Sequence, residues 1–258
     1  MIQHEFAEQI THILKNDNGV IGLAAAGSWL TNELDEYSDL DIVLVTKEII
    51  GGDREKMFYY ANQFGNLLSA FTGEHVGESR LLICLYENPL LHVDIKFLTL
   101  KEFEIRVENP VILLDTDDQL QNAIDKTQAD FPMPDFQWIE DRFWTWAHYA
   151  LSKIGRGEYF EALDFFGFMR MVVIGPLLHL RNNNLPRGVR KVETQLSQND
   201  FDLLKSTLST NEKTSLLKAL ENIIKLYQSL RKDLYKADIS WSQAEDSVLQ
   251  YYEKIKNS

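Results

Sequence analysis

The apolar residues of this chain change their spacing near Phe131-Pro132-Met133-Pro134. Before that point, short apolar runs alternate with stretches that repeat every three to four residues. After it the spacing is helical throughout. Residues 3–16 predict an amphipathic helix, and 20–26 an apolar strand. A short helix is expected after Ser28, then a strand at 40–46. Residues 53–71 predict a helix with Asp53 near its start. Strands are expected at 80–86 and 90–98, joined as a hairpin across Glu87-Asn88-Pro89. Thr99 is placed to cap a helix running to about Val107, with a strand at 111–115 and a helix at 117–129.

Beyond Pro134 the pattern predicts helices at 135–155, 158–182, 200–208, 211–235 and 241–256. Gly155 and Gly157 flank a turn between the first two, and Pro176 is expected to kink or interrupt the second. No internal repeat or low-complexity tract is present. The expected fold class is α+β. A small mixed β-sheet domain with packed helices spans 1–131, and an all-α helical bundle spans 132–258. Domain interfaces favour ligand sites, so the cleft between the two is where an active site is expected.

Composition narrows the function. The 45% hydrophobic content is ample for a core in 258 residues. The 26 basic and 39 acidic residues give a formal charge of −13. Phosphate contacts dominate nucleic-acid affinity, so an acidic chain argues against a DNA or RNA substrate and suits a small, cationic acceptor. Cys84 is the only cysteine, which excludes an internal disulfide. The opening MIQHEFAEQI is not a signal peptide, and MVVIGPLLHL, the most apolar run, is too short for a membrane span. A cytoplasmic protein is expected.

The chemistry lies in AAAGSWLTNELDEYSDLDIVLV, from Ala24 to Val45. A small-residue turn at Gly27-Ser28 follows one apolar strand, and Asp39-Leu40-Asp41 opens the next. Strand side chains alternate, so Asp39 and Asp41 share a face, with Cα atoms roughly 6.6 Å apart. In LLHVDIKFL, His92, Asp94 and Lys96 share a face, and Val93, Ile95 and Phe97 take the other. If the two strands are neighbours, three carboxylates converge, and their repulsion would be relieved by hard cations such as Mg²⁺. Gly27 lets backbone approach a phosphate closely, and the Ser28 hydroxyl and following N–H groups can donate to it. Lys96 is placed to pair with Asp94.

This set resembles the nucleotidyltransferase superfamily of the DNA polymerase β type. The signature is an apolar residue, Gly-Ser, about ten residues, Asp-x-Asp and a later Asp between apolar residues. Here these are Ala26-Gly27-Ser28, Asp39-Leu40-Asp41 and Val93-Asp94-Ile95, with no departure at the core positions. The second half, from Asp141 to Leu180, resembles the helical domain of aminoglycoside nucleotidyltransferases, particularly the 6-adenylyltransferase branch. Phe143-Trp144, Tyr149, Lys153, Arg156-Gly157-Glu158, Ala162 and Arg170 carry that resemblance.

The resemblance implies an enzyme that transfers AMP from ATP to a hydroxyl of a small, aminoglycoside-like molecule, releasing pyrophosphate. Asp39, Asp41 and Asp94 would hold two Mg²⁺ ions, with Asp94 also accepting the hydroxyl proton. Gly27, Ser28 and Lys153 would bind the triphosphate, with Arg156 and Arg170 as weaker candidates. Glu74, Glu78, Glu87, Glu140 and Asp141 are candidate contacts for a cationic acceptor, and Trp144, Trp146 and Tyr149 for a stacked ring. Partners are then the nucleoside triphosphate and the acceptor, with no nucleic acid and no membrane, in a monomer or a homodimer. Two alternatives stay open: an acceptor that is a protein or tRNA, and a nucleotide-binding regulatory module without catalysis.

Overall fold

A computed structural model describes residues 1–236 and 238–257. The chain forms two compact units, Met1–Pro132 and Met133–Ser258. In the first, helix α1 (Ile2–Leu14) is followed by strands β1 (Val20–Ala25) and β2 (Leu40–Thr46), with a 3₁₀ turn, Gly27–Trp29, between them. Helix α2 (Arg54–Phe64), strands β3 (Asn66–Gly73), β4 (Glu78–Glu87) and β5 (Leu91–Thr99), helix α3 (Leu100–Phe103), strand β6 (Val111–Asp115) and helix α4 (Gln119–Lys126) complete it. The six strands make one mixed sheet in the order β3-β4-β5-β2-β1-β6. Only β2 and β5 run parallel; every other pair is antiparallel.

The period-two pattern divides the sheet into two faces. Leu40, Ile42 and Leu44 of β2 and Val93, Ile95 and Phe97 of β5 join Phe6, Ala7, Ile10 and Leu14 of α1 in one core, with Met57, Ala61 and Phe64 of α2. The other face packs against α3 and α4 at one end. There Val45 and Leu98 pack with Phe103 of α3 and Leu120 and Ala123 of α4. Thr99 caps α3 as expected, in a capping box with Glu102, but the helix stops at Phe103, short of Val107.

In the first unit one element is of a different kind from the one expected. The helix predicted over 53–71 ends at Phe64, and 66–73 is the edge strand β3. Met57, Tyr60, Ala61, Phe64, Leu67, Leu68 and Phe71 continue a helical spacing through the boundary, and leucine and alanine favour helix. Pairing with β4, which sets Leu67 opposite Tyr86 and Phe71 opposite Ile83, overrides that local preference.

The second unit is helical: α5 (Phe136–Arg156), α6 (Tyr159–Met169), α7 (Gly175–Arg181), α8 (Val192–Gln195), α9 (Gln198–Lys205), α10 (Lys213–Leu234) and α11 (Glu245–Lys256). The short α8 was not anticipated. A π-helical segment, Arg170–Ile174, joins α6 to α7 immediately before Pro176. A proline has no N–H to donate and its ring crowds the preceding turn, and the wider π turn accommodates both. Gly175 is required by packing, since a Cβ there would lie 2.2 Å from the Gly188 carbonyl oxygen. The run Tyr159–Arg181 has 23 residues and contains an 18-residue window of mean hydropathy 1.5, so it is long and apolar enough to cross a membrane by length and composition alone. MVVIGPLLHL by itself did not suggest this. Half of that window is buried within the protein, as in a core helix.

Helix α5 organises this unit. Ile139, Phe143, Trp144, Ala147, Ala150, Leu151 and Ile154 lie in its core with Leu220, Ile223 and Tyr227 of α10. Glu140 is wholly buried beside them. It accepts hydrogen bonds from the Tyr227 hydroxyl, from Arg231 Nη1 at 3.2 Å and from the Ser242 N–H at 3.2 Å. Arg231 also donates to Glu245 at 2.6 Å, so one ionic knot ties α5, α10 and the start of α11. Glu140 therefore does not bind an acceptor, and Trp144, 1% exposed, is core rather than a stacking platform. Removing one partner of a buried pair leaves the other charge uncompensated, so Glu140→Ala is expected to destabilise the protein by about 3–5 kcal/mol. Urea unfolding followed by tryptophan fluorescence would measure it, and a loss below about 1 kcal/mol would contradict the knot's role.

Candidate active site

The parallel pairing of β2 with β5 sets Leu40 opposite Val93 and Asp41 opposite Asp94. Neighbours in register point to the same side of a sheet. The two carboxylates thus lie on the face opposite the α1–α2 core, at the end that α3 and α4 leave uncovered. Asp39 immediately precedes β2. All three carboxylates are partly buried.

Asp94 feels the charge of Asp39. Burial pushes the Asp94 carboxyl above its ordinary range; the His92 imidazole opposes that shift, and the charge of Asp39 adds to it. His92 Nε2 lies 2.9 Å from Asp94 Oδ1. The sequence placed His92 on this face but assigned it no role. The pairing expected of Lys96 with Asp94 is not found. Lys96 instead meets Glu78 at 2.9 Å, and Arg80 meets the same carboxylate at 2.7 Å. Their hydrogen bonds, that of Arg80 first, hold Glu78 down to about 2. Glu78 is thus spent on internal cations rather than left for a ligand.

The Gly27-Ser28 turn closes on the same carboxylates. The Ala26 N–H donates to the Asp41 carbonyl at 3.0 Å, which fastens the turn to β2. Gly27 has φ +60°, and a Cβ there would stand 1.9 Å from Asp41 Oδ2. Only glycine fits both the left-handed backbone and the space. A 3₁₀ turn leaves its first N–H groups without partners inside the turn, so Gly27 and Ser28 present donors beside Asp41.

Gly27, Ser28, Asp39, Asp41 and Asp94 are therefore brought together within the first unit, whereas Lys153 belongs to the second. Its ammonium lies 2.6 Å from Glu158 and 2.9 Å from Glu161, above the Tyr149 ring, and those two acids raise its pKa. Arg156 faces Glu158 at 3.9 Å, and Arg170 donates to the Thr207 carbonyl at 3.0 Å.

Among the described residues no three His, Cys, Asp or Glu side chains close around a single point as a metal cage. Mg²⁺ does not need one, because it is held by one or two carboxylates plus substrate phosphates. Hard oxygen donors on one face, beside the N–H groups of the Gly27-Ser28 turn, fit that mode.

The sequence pattern of the streptomycin adenylyltransferase family matches residues 2–255. Among solved structures, an aminoglycoside 6-adenyltransferase from Bacillus subtilis is similar at 17% identity, covering 99% of each chain with a TM-score of 0.42. A nucleotidyltransferase-like protein from Exiguobacterium sibiricum is similar at 13% identity, over 100% of this chain and 89% of that one, with a TM-score of 0.36. A spectinomycin adenyltransferase from Enterococcus faecialis, solved with ATP and spectinomycin, is similar at 12% identity over 98% and 99%, with a TM-score of 0.31. No curated protein matches significantly.

The contact of Gly27 with Asp41 can be tested by a double-mutant cycle. Gly27→Ala is expected to cost about 2–4 kcal/mol in urea unfolding, from left-handed strain plus overlap. In an Asp41→Ala background only the backbone part remains, about 1–2 kcal/mol. Additive costs would show that the carboxylate is not held against the turn.

Proposed function

Because this chain belongs to the streptomycin adenylyltransferase family, and is a nucleotidyltransferase on that ground, we propose that it transfers AMP from ATP to a hydroxyl of a small, cationic, aminoglycoside-like acceptor. The observation that supports this most is the in-register placement of Asp41 beside Asp94 on the open face, with Asp39 adjacent. We assign Mg²⁺ to these three carboxylates; when bound it would offset the triphosphate charge and lower the pKa of the acceptor hydroxyl.

The remaining roles fall to the chain itself. The Gly27 and Ser28 N–H groups and the Ser28 hydroxyl donate to phosphate oxygens. Asp94 takes the proton of the acceptor hydroxyl. The oxygen then attacks the α-phosphorus, forming one P–O bond as the bond to the β-phosphate bridge breaks, and pyrophosphate leaves with that electron pair. A carboxyl whose pKa is raised is a better base than an ordinary one, provided it is ionised at the working pH. His92, 2.9 Å from Asp94 Oδ1, orients the carboxylate. Lys153 would have to leave Glu158 and Glu161 to serve a triphosphate, so no step is assigned to it. The net charge of −13 favours a cationic acceptor over a polyanionic one. ATP supply places the reaction in the cytoplasm.

Calorimetric titration with a nonhydrolysable ATP analogue tests the site. The wild-type protein is expected to bind it only with Mg²⁺, and Asp39→Asn to weaken that binding about tenfold or more. Metal-independent binding, or full affinity in Asp39→Asn, would refute the metal assignment. For the base, Asp94→Asn is expected to lower kcat by about 100-fold or more, with adenylylated aminoglycoside read by mass. Turnover within about threefold of wild type would remove Asp94 from that role.

A further inference from the structure

Asp39 differs from the other two carboxylates in what holds it. Asp41 and Asp94 sit inside β2 and β5, where ladder hydrogen bonds fix the backbone. Asp39 precedes the first residue of β2, so its place is set by the loop before it. That loop is shaped by a turn between Asp35 and Ser38. The Ser38 hydroxyl donates to Asp35 Oδ1 at 2.9 Å, the Tyr37 N–H donates to the same oxygen at 2.9 Å, and the Ser38 N–H donates to the Asp35 carbonyl at 3.3 Å. These bonds are local. They give the turn its form.

Gln3 ties this turn to α1. Its side chain is completely buried. Nε2 donates to the Asp35 carbonyl at 2.9 Å and to the Ser38 carbonyl at 2.7 Å, the two ends of the turn. The Ser38 carbonyl belongs to the peptide that leads into Asp39, so the second bond acts on the plane from which Asp39 departs. At its other end Gln3 is anchored in α1, with Phe6, Ala7, Ile10 and Leu14 sunk in the core.

The helical spacing makes Gln3 an apolar position: 3, 6, 7, 10 and 14 form the buried stripe of α1. A buried amide there is expensive to desolvate, and its Oε1 has no hydrogen-bond partner. A leucine or methionine would cost less in stability. The loop also has space to move into, since a cavity of about 260 Å³ is bounded by Tyr37, Ser38 and Asp39 on one side and Leu90, Leu91 and His92 on the other.

We infer that Gln3 is a positioning residue for Asp39: its two hydrogen bonds hold the 35–38 turn to α1, and so hold the Asp39 carboxylate at the metal-binding position facing Asp41 and Asp94. This rests on the metal assignment made for these carboxylates above.

The test is Mn²⁺ binding, followed by electron paramagnetic resonance, in the presence of a nonhydrolysable ATP analogue. Gln3→Met keeps the volume, removes both donors and removes the orphaned oxygen. It is expected to weaken Mn²⁺ binding about 10–100-fold, as loss of a group that orients a ligand does, while the melting midpoint holds within a few degrees. Turnover is expected to recover as metal is raised. Gln3→Asn, an amide one methylene short, is expected to lose metal affinity likewise and serves if Gln3→Met does not fold. Wild-type Mn²⁺ affinity in a folded variant at position 3 would overturn the inference and leave the proposed function standing. Wild-type protein that binds no Mn²⁺ with the analogue would overturn both.

Discussion

The parallel pairing of β2 with β5 is the constraint on which the rest of the first unit depends. It does two things at once. On one face it aligns Leu40, Ile42 and Leu44 with Val93, Ile95 and Phe97 over α1 and α2. On the other it brings Asp41 beside Asp94. Because side chains alternate, a slip of one residue in either strand would turn its apolar set outward and its carboxylate into the core. The hydrophobic effect therefore specifies the register, and the register specifies the acidic face. Like charges are held together by apolar contacts they do not share in.

That arrangement carries local tension, which the surroundings offset. The Asp94 carboxyl is desolvated and feels Asp39, and His92 moderates it from the same strand. Gly27 accepts the close approach of Asp41 that no other residue would permit. Gln3 gives up an apolar place in α1 to fasten a turn. Sites that bind charge commonly trade stability in this way. The second unit does the opposite with its own buried charge. Glu140, Tyr227, Arg231 and Glu245 satisfy one another and secure helices rather than face a ligand.

Much of this was legible in the chain. The strands at 20–26, 40–46 and 111–115 follow from apolar runs bounded by turn residues, and the spacing of Gly27-Ser28, Asp39, Asp41 and Asp94 suggests the chemistry proposed for them before any fold is known. Local signals also place Thr99 as a cap and Pro176 as an interruption, because both act within one helical turn.

Other features had no local signal. β3 looks like the end of a helix because its spacing and its leucines suit one; only pairing with β4 decides otherwise. Lys96 is two residues from Asp94, yet its partner is Glu78 on the neighbouring strand. Glu140, a charge that belongs on a surface by its type, is core, since α10 and α11 cover the face it occupies, and Trp144, whose helical spacing suited core as well as stacking, is buried with it. Gln3 looks like a polar interruption of an apolar stripe until the loop 32 residues away is folded against it. The sequence by itself determined periodicity, composition and the spacing of the carboxylates, all properties of neighbours along the chain. Tertiary structure decided which faces are covered and which charges are already paired, because burial and pairing are set by residues far away along the chain.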